Sequence, residues 1–264
     1  MKRVKYKPFR LNFNSSFNNS KTTFAFRDVI FFEAEDSCGR IVYSESAPLP
    51  EFGTETTDSI TNCFDEVIKD ILGKEIHSFD DITNLLDPIG NKPSLKCGLE
   101  QILIALLIRE NPALFPKSTS HFEVNGLIGL NDHQEIEKVL EEKINDGTKA
   151  IKLKVNRDNH IFLSQLINNS TFAIKNNIRF RLDANSIFSF EEAERVLKSF
   201  DPKKIEYFEQ PTSSINEMEI LEQNSEIPIA LDESLTSYDH VEKLIKDSQI
   251  KYFIIKPMVL GGIL

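Results

Sequence analysis

Ile205-Glu206-Tyr207-Phe208-Glu209-Gln210-Pro211 is a short apolar run that ends on a carboxylate and is stopped by a proline. Its aromatic and β-branched residues predict a strand over 205–209, and the proline predicts where it ends. The plan recurs on both sides. Upstream, Ile151-Lys152-Leu153-Lys154 closes a predicted strand at 150–155, and Leu182-Asp183-Ala184-Asn185 closes one at 179–183. Downstream, Leu231-Asp232-Glu233-Ser234 closes a strand at 227–232, and Ile255-Lys256-Pro257 closes one at 252–256. A further strand, 122–128, precedes them all. Between the strands the apolar spacing becomes helical, over 132–146, 159–176, 189–200, 216–223 and 238–247. Strict alternation of strand and helix predicts an α/β fold on a parallel sheet. Short apolar strands with charged ends favour a TIM-type (β/α) barrel over a Rossmann sheet, since no GxGxxG follows the first strand.

In a barrel the C-terminal strand ends share one mouth, which is where active sites of this architecture lie. Asp183, Glu209 and Asp232 then converge from successive strands. An all-oxygen set suits a hard divalent cation, Mg²⁺ or Mn²⁺, with positions left open for substrate. Lys154 and Lys256 flank the carboxylates as candidate acid/base groups. Such a site suits removal of a proton beside a carboxylate, because that proton is weakly acidic and the charge left behind must be neutralised as it develops. A lysine serves as the base only where neighbouring positive charge lowers its proton affinity. Each piece alone has a structural explanation: Lys152-x-Lys154 as one solvated and one stem-buried lysine, Leu182–Asn185 as a turn, Asp232-Glu-Ser as a helix cap, Glu209-Gln-Pro as a strand end. Five adjacent strands closing on charged groups at one edge exceed that explanation.

The chain before residue 119 reads differently. Strands are predicted at 4–13 and 22–35, joined by the turn-forming Asn14–Ser20, and Asp36-Ser-Cys-Gly turns into a third strand at 40–46. Helices follow at 57–72, capped by Thr57 or Asp58, and at 93–109, which predicts a small α+β domain. The 264 residues are 40% hydrophobic, enough for one large core or two smaller ones. A net charge of −10 disfavours nucleic acid and anionic membranes as partners. Cys38, Cys63 and Cys97 are odd in number and far apart, which argues for reduced thiols. The apolar stretch 99–108 contains Glu100 and Gln101 and is too short and polar to span a bilayer. No apolar run follows the basic N-terminus, so no signal peptide is evident. A cytoplasmic protein acting on a small-molecule carboxylate is expected, with the oligomeric state unspecified.

Lys152-x-Lys154, Asp183-x-Asn185, Glu209-Gln-Pro211, Asp232-Glu-Ser234 and Lys256-Pro257 together resemble the motif set of the enolase superfamily, within it the muconate-lactonising-enzyme-like subgroup. Val124-Asn125-Gly126-Leu127-Ile128, and Pro93-Ser94 with Gly98-Leu99-Glu100, are similar to segments of the o-succinylbenzoate synthase family. Ala47-Pro48-Leu49-Pro50 with Phe52-Gly53-Thr54 is similar to one of its substrate-covering loops, and Asn14–Ser20 to the other. The resemblance implies an N-terminal α+β capping domain over 1–118 and a partial barrel over 119–264 that carries the catalytic residues. It implies that Asp183, Glu209 and Asp232 bind Mg²⁺, and that Lys154 removes the proton α to a carboxylate, giving an enediolate. It places Lys256 on the opposite face, stabilising that enediolate as a cation. Lys152 and Arg181 would support the charge near the metal and Asn185 would back the ligands; a purely structural place for Arg181 is an equal reading. The implied activity is dehydration of a cyclohexadiene carboxylate to 2-succinylbenzoate, a hydro-lyase (carbon–oxygen lyase) step of menaquinone (vitamin K2) biosynthesis.

One departure stands out. A full barrel takes roughly 250 residues, and 119–264 supplies six strands. The expectation is therefore a barrel truncated after strand six, and a chain that is poorly soluble or inactive by itself. Two further readings stay open: a dipeptide epimerase or N-acylamino acid racemase on the same scaffold, and a non-catalytic truncated remnant.

Overall fold

The computed structural model describes residues 1–18, 23–114, 122–129 and 133–264. Its contacts divide these into two compact units: residues 1–16, 24–114 and 255–264 in one, and 17–18, 23, 122–129 and 133–254 in the other.

The first unit is built on an antiparallel sheet of β1 (Arg3–Asn18), β2 (Thr23–Glu35) and β3 (Ile41–Ser46), in that order. Period-2 alternation sends Ile30, Phe32, Ala34 and Val42 into the core while Phe31 and Tyr43 face out. Asp36 makes the β2–β3 turn, its Oδ1 accepting the Cys38 and Arg40 N–H groups at 2.9 Å each. Against the inner face pack α1 (Thr57–Ile71), α2 (Phe79–Leu86) and α3 (Pro93–Glu110). Phe32 stacks on Phe64 of α1 with ring centroids 5.5 Å apart. Gly98 lets α3 close on the sheet: a Cβ there would meet Phe32 at 2.8 Å, and Ser44 Oγ donates to the Gly98 carbonyl at 2.7 Å. The start of α3 lacks a capping side chain of its own, and Glu55 supplies the carboxylate, accepting from Ser94 Oγ and Leu95 N at 2.7 Å.

Three expectations change here. β1 runs on to Asn18 through much of the predicted Asn14–Ser20 turn, because pairing with β2 outweighs the local turn preference of Asn and Ser; residues 19 and 20 lie outside the described residues. The cap of α1 is Thr56, whose side chain accepts from Ser59 N. α2 has no counterpart among the predicted helices: it is two turns long, and a Ser78/Asp81 capping box starts it.

The second unit is a six-stranded parallel sheet in the order β4 (Gly126–Ile128), β5 (Ala150–Lys154), β6 (Arg179–Asp183), β7 (Ile205–Glu209), β8 (Ile229–Leu231), β9 (Tyr252–Phe253). Helices alternate with the strands: α4 (His133–Asn145), α5 (His160–Asn169) with α6 (Thr171–Lys175), α7 (Phe190–Ser199), α8 (Ile215–Asn224) and α9 (Tyr238–Asp247). The predicted helix 159–176 is broken at Ser170, and the strand predicted at 122–128 shortens to its last three residues. Residues 118 and 132, used above as boundaries, lie outside the described residues.

Register sorts the strand side chains. Ile151, Leu153, Phe180, Leu182 and Phe208 are buried in one set of rows, while Lys152, Arg181 and Tyr207 share the alternate row. On that second face the sheet curves: Tyr207 and Tyr252, two strands apart, have ring centroids only 5.2 Å apart. Arg181 likewise reaches Asn125, beside β4, at 3.0 Å. Flat neighbouring strands are about 4.8 Å apart, so side chains two strands away meet only across a concave face. A bulge between Phe180 and Arg181 leaves Glu206 as the extra residue of β7. There it pairs with Arg181 at 2.9 Å.

The sequence pattern carries 119–264 as one domain, whereas Ile255–Leu264 gathers with the first unit, where α10 (Pro257–Leu260) lies on α3. No helix among the described residues is long and apolar enough to cross a membrane.

Candidate active site

Pairing aligns Lys154 with Asp183, and Asp183 with Glu209, so the last residues of β5, β6 and β7 form one row at the C-terminal edge. Lys152 Nζ bridges Asp183 Oδ2 at 2.8 Å and Glu209 Oε1 at 2.7 Å. Lys154 Nζ donates to Asp183 Oδ2 at 2.6 Å and to Asn185 Oδ1. Asn185 in turn donates its backbone N–H to Asp183 Oδ1 at 3.1 Å and its amide to Glu233 Oε1 at 2.7 Å. Asp232 follows the end of β8 directly and is buried with them.

These groups are largely shielded from water, so their charges are screened much less than on the surface. Burial opposes ionisation of Asp183, yet the charges of Lys152 and Lys154 prevail and hold its carboxyl below the usual range. Glu209 goes the other way: burial and the Asp183 charge push it up, with Asp232 adding to the repulsion, and Lys152 offsets them only in part. Lys152 itself is held protonated, because the Asp183 and Glu209 charges overcome its desolvation.

The loops beyond the strands are strained where they carry these groups. Asn185, Ser186 and Gln210 take positive φ values of 47°, 62° and 42°, a region that costs a non-glycine residue free energy and is found mostly where function demands it. Gln210 stitches the site together. Its Oε1 accepts the Asp232 N–H at 2.9 Å, and its Nε2 donates to Ser234 Oγ at 2.7 Å. Among the residues singled out from sequence, Arg181 sits one row deeper and engages Glu206, Asn125 and the face of Tyr207 rather than the carboxylates. Lys256 lies in the other unit, its ammonium 4.6 Å from the centroid of the Phe52 ring.

The family model for the enolase C-terminal domain-like family matches residues 135–264. The o-succinylbenzoate synthase of Desulfotalea psychrophila is 30% identical over 69% of this chain. The chain belongs to the enolase superfamily. This chain spans 53% of the length of the Desulfotalea protein. Two solved structures share its fold. The o-succinylbenzoate synthase of Thermosynechococcus elongatus, with magnesium in its active site, superposes with a TM-score of 0.76 at 22% identity, covering 98% of this chain and 77% of that one. The dipeptide epimerase of Enterococcus faecalis, complexed with magnesium and the dipeptide L-Leu-L-Tyr, gives 0.88 at 20% identity, covering 99% and 75%.

Whether the residues here fit magnesium is tested by the carboxylates themselves. Among the described residues, no three His, Cys, Asp or Glu side chains form a ready-made ligand cluster as they stand; Lys152 and Lys154 draw Asp183 and Glu209 into ion pairs. Glu209 Oε2, however, is fully buried with no hydrogen-bond partner. A buried carboxylate oxygen without a partner, beside two further acids, is costly unless a cation satisfies it. The donor set therefore fits an oxygen-seeking divalent ion. Two participants escape a reading of the sequence. Glu233 backs Asn185 and leaves its Oε2 without a partner, and Gln210 ties β7 to β8. Their neighbours Asp232 and Glu209 stand out as strand ends; what one polar side chain does for the next loop is set by tertiary contact.

Proposed function

We propose that this chain carries a Mg²⁺-dependent acid/base site that removes the proton α to a substrate carboxylate, and that the reaction is the dehydration catalysed by o-succinylbenzoate synthases. The observation that carries the reading is the row Lys154–Asp183–Glu209, with Lys152 bridging two acids while Glu209 Oε2 is left without a partner. Asp183, Glu209 and Asp232 would hold the ion. When bound, Mg²⁺ supplies fixed positive charge where the substrate carboxylate gains electron density.

The chain's own residues do the rest. Lys154 is the base: its Nζ is oriented by Asp183 Oδ2 and Asn185 Oδ1, and it must be neutral to accept a proton from carbon. Lys152 keeps its proton and balances Asp183 and Glu209. Lys256 is assigned the second ammonium, which would balance the developing negative charge. Breaking of the C–O bond releases hydroxide, which leaves as water with one proton, so that the proton taken from Cα and the hydroxide together make up the water lost. The step is redox-neutral, and an o-succinylbenzoate synthase activity would imply menaquinone biosynthesis as its setting. The test is turnover of the cyclohexadiene carboxylate with Mg²⁺, followed by loss of ultraviolet absorbance. Failure to form 2-succinylbenzoate would exclude dehydration.

A second reading is epimerisation or racemisation, favoured by the likeness to the dipeptide epimerase. There one lysine takes the proton and the other returns it on the opposite face. Incorporation of deuterium at Cα of a dipeptide or N-acylamino acid in D₂O, without loss of water, would select it. Absence of Mg²⁺ affinity, unchanged by Asp183→Asn, would select the non-catalytic remnant.

A further inference from the structure

We propose that Glu100 of α3 is the positioning residue for Lys256, clamping the backbone that follows it. The idea rests on the assignment of Lys256 as a reacting ammonium. Lys256 opens α10, and its carbonyl accepts the Val259 and Leu260 N–H groups at 2.9 and 3.1 Å. The Pro257 carbonyl accepts from Gly261 and Gly262 at 2.9 and 3.0 Å. The turn is thus tied rigidly to Lys256. Gly261 and Gly262 then reverse the chain with φ values of +100° and +135°, which side-chain-bearing residues rarely adopt.

The reversal aims two consecutive amides at one carboxylate. Ile263 N–H reaches Glu100 Oε2 at 2.9 Å and Oε1 at 3.1 Å, and Leu264 N–H reaches Oε1 at 2.9 Å. The carboxylate fills the space a side chain at residue 262 would need: a Cβ there would lie 2.4 Å from the carboxyl carbon and from both oxygens. Glu100 is buried on a helix whose other buried side chains are mostly apolar, a setting where an acid is expensive unless its oxygens are used. Here both are used, on backbone donors that no neutral amide could match, because an amide presents a donor to donors.

The other end of Lys256 is held as well. Its ammonium lies over Phe52, on a turn closed by Phe52 N–H to the Leu49 carbonyl at 2.8 Å and Leu49 N–H to Thr54 Oγ1 at 2.6 Å. Glu55, just beyond that turn, binds the start of α3. One helix therefore references both the ammonium's ring and the backbone that carries it. A lysine with four rotatable side-chain bonds holds a productive geometry only if both ends are restrained, and misplacement by about 1 Å can cost 10²-fold in rate.

The test compares Glu100→Gln, Glu100→Asp and Gly262→Ala in the full-length protein with Mg²⁺. Two quantities are read: steady-state kinetics, and the rate at which a lysine-directed acylating reagent labels Lys256 relative to the exposed Lys243, mapped by mass spectrometry. Glu100→Gln and Gly262→Ala are expected to lower kcat by 10- to 100-fold with KM within twofold, to raise relative labelling of Lys256 at least fivefold, and to leave Mg²⁺ affinity unchanged. Glu100→Asp, which keeps the charge, should recover part of kcat. A kcat within twofold of the parent, or unchanged labelling, overturns the proposal; so does a fall in Mg²⁺ affinity together with equal labelling of all lysines, which marks general loosening. If Glu100→Gln does not fold, Gly262→Ala decides between these outcomes. Lys256→Met, assayed alongside, separates the underlying reading: full activity there removes Lys256 from the chemistry, whatever the labelling reports of the clamp.

Discussion

The two units handle charge in opposite ways. On the antiparallel sheet, Arg10 and Asp28 pair at 2.7 Å with side chains 59% and 35% exposed, and Glu35 is met by two cations, Lys2 and Arg3, that are themselves largely in solvent. On the parallel sheet, Lys152 bridges Asp183 and Glu209 with exposures of 19%, 1% and 0%. The distances are alike and the physics is not. Exposed pairs are screened and contribute little, whereas buried pairs must offset a large desolvation cost and are strongly penalised when one partner is lost. A fold that tolerates such a cluster, with the Oε2 atoms of Glu209 and Glu233 unsatisfied and three residues at positive φ around it, retains it for function rather than stability.

The largest effect that could break this contrast is on catalysis. Lys154→Ala should lower kcat by about 10²- to 10⁴-fold, the usual range for a general base, with far-ultraviolet dichroism unchanged; a smaller loss would move the base elsewhere. Next, Glu209→Gln should reduce Mg²⁺ affinity at least about tenfold by calorimetric titration, as loss of metal-site groups typically does. It should leave the metal-free melting temperature equal or higher, because Lys152 keeps Asp183 as its buried partner while repulsion from Asp183 and Asp232 is relieved. A lower melting temperature would mean that Glu209 is a net stabiliser. Ser189→Ala, which removes the capping box of α7, should cost about 1 kcal/mol in denaturant unfolding without touching kcat. Arg10→Ala should leave the melting temperature unchanged within error.

A further effect, confined to acid pH, concerns an exposed pair within the second unit. Arg157 donates to both Glu192 oxygens, and with the Ser189 backbone it pulls that carboxyl down to about 2 from 4.5. A depressed folded-state value means that the contribution is complete above pH 4.5 and is lost as the pH falls towards 2. Arg157→Ala should flatten the acid side of the stability profile in that window and nowhere else.

Much of the fold is legible in the chain, and for a local reason. Strands 150–154, 179–183 and 205–209 are short runs in which buried apolar residues recur between charged ones, set between amphipathic helices, so periodicity and turn residues suffice to locate them. The misses fall where tertiary contact overrides local preference. β1 continues through an Asn/Ser-rich stretch because it has a partner strand, and the 159–176 helix breaks at Ser170 although its apolar spacing continues. The site divides in the same way. Asp183, Glu209, Lys152 and Lys154 are visible as charged strand ends, whereas Gln210 and Glu233 are not, because their work is done on other loops.

Residue types at strand ends are a property of the chain, and so the sequence alone determined the α/β alternation, the enolase-superfamily motifs and the identity of the acids and lysines. Which of them meet is a matter of register, bulge and curvature. The tertiary structure alone decided that Lys152 rather than Arg181 bridges the carboxylates, that Glu206 is displaced by a bulge to take Arg181, and that residues 255–264 return to α3 under the hold of Glu100. Those outcomes depend on distances between residues far apart in the chain, which no local pattern encodes.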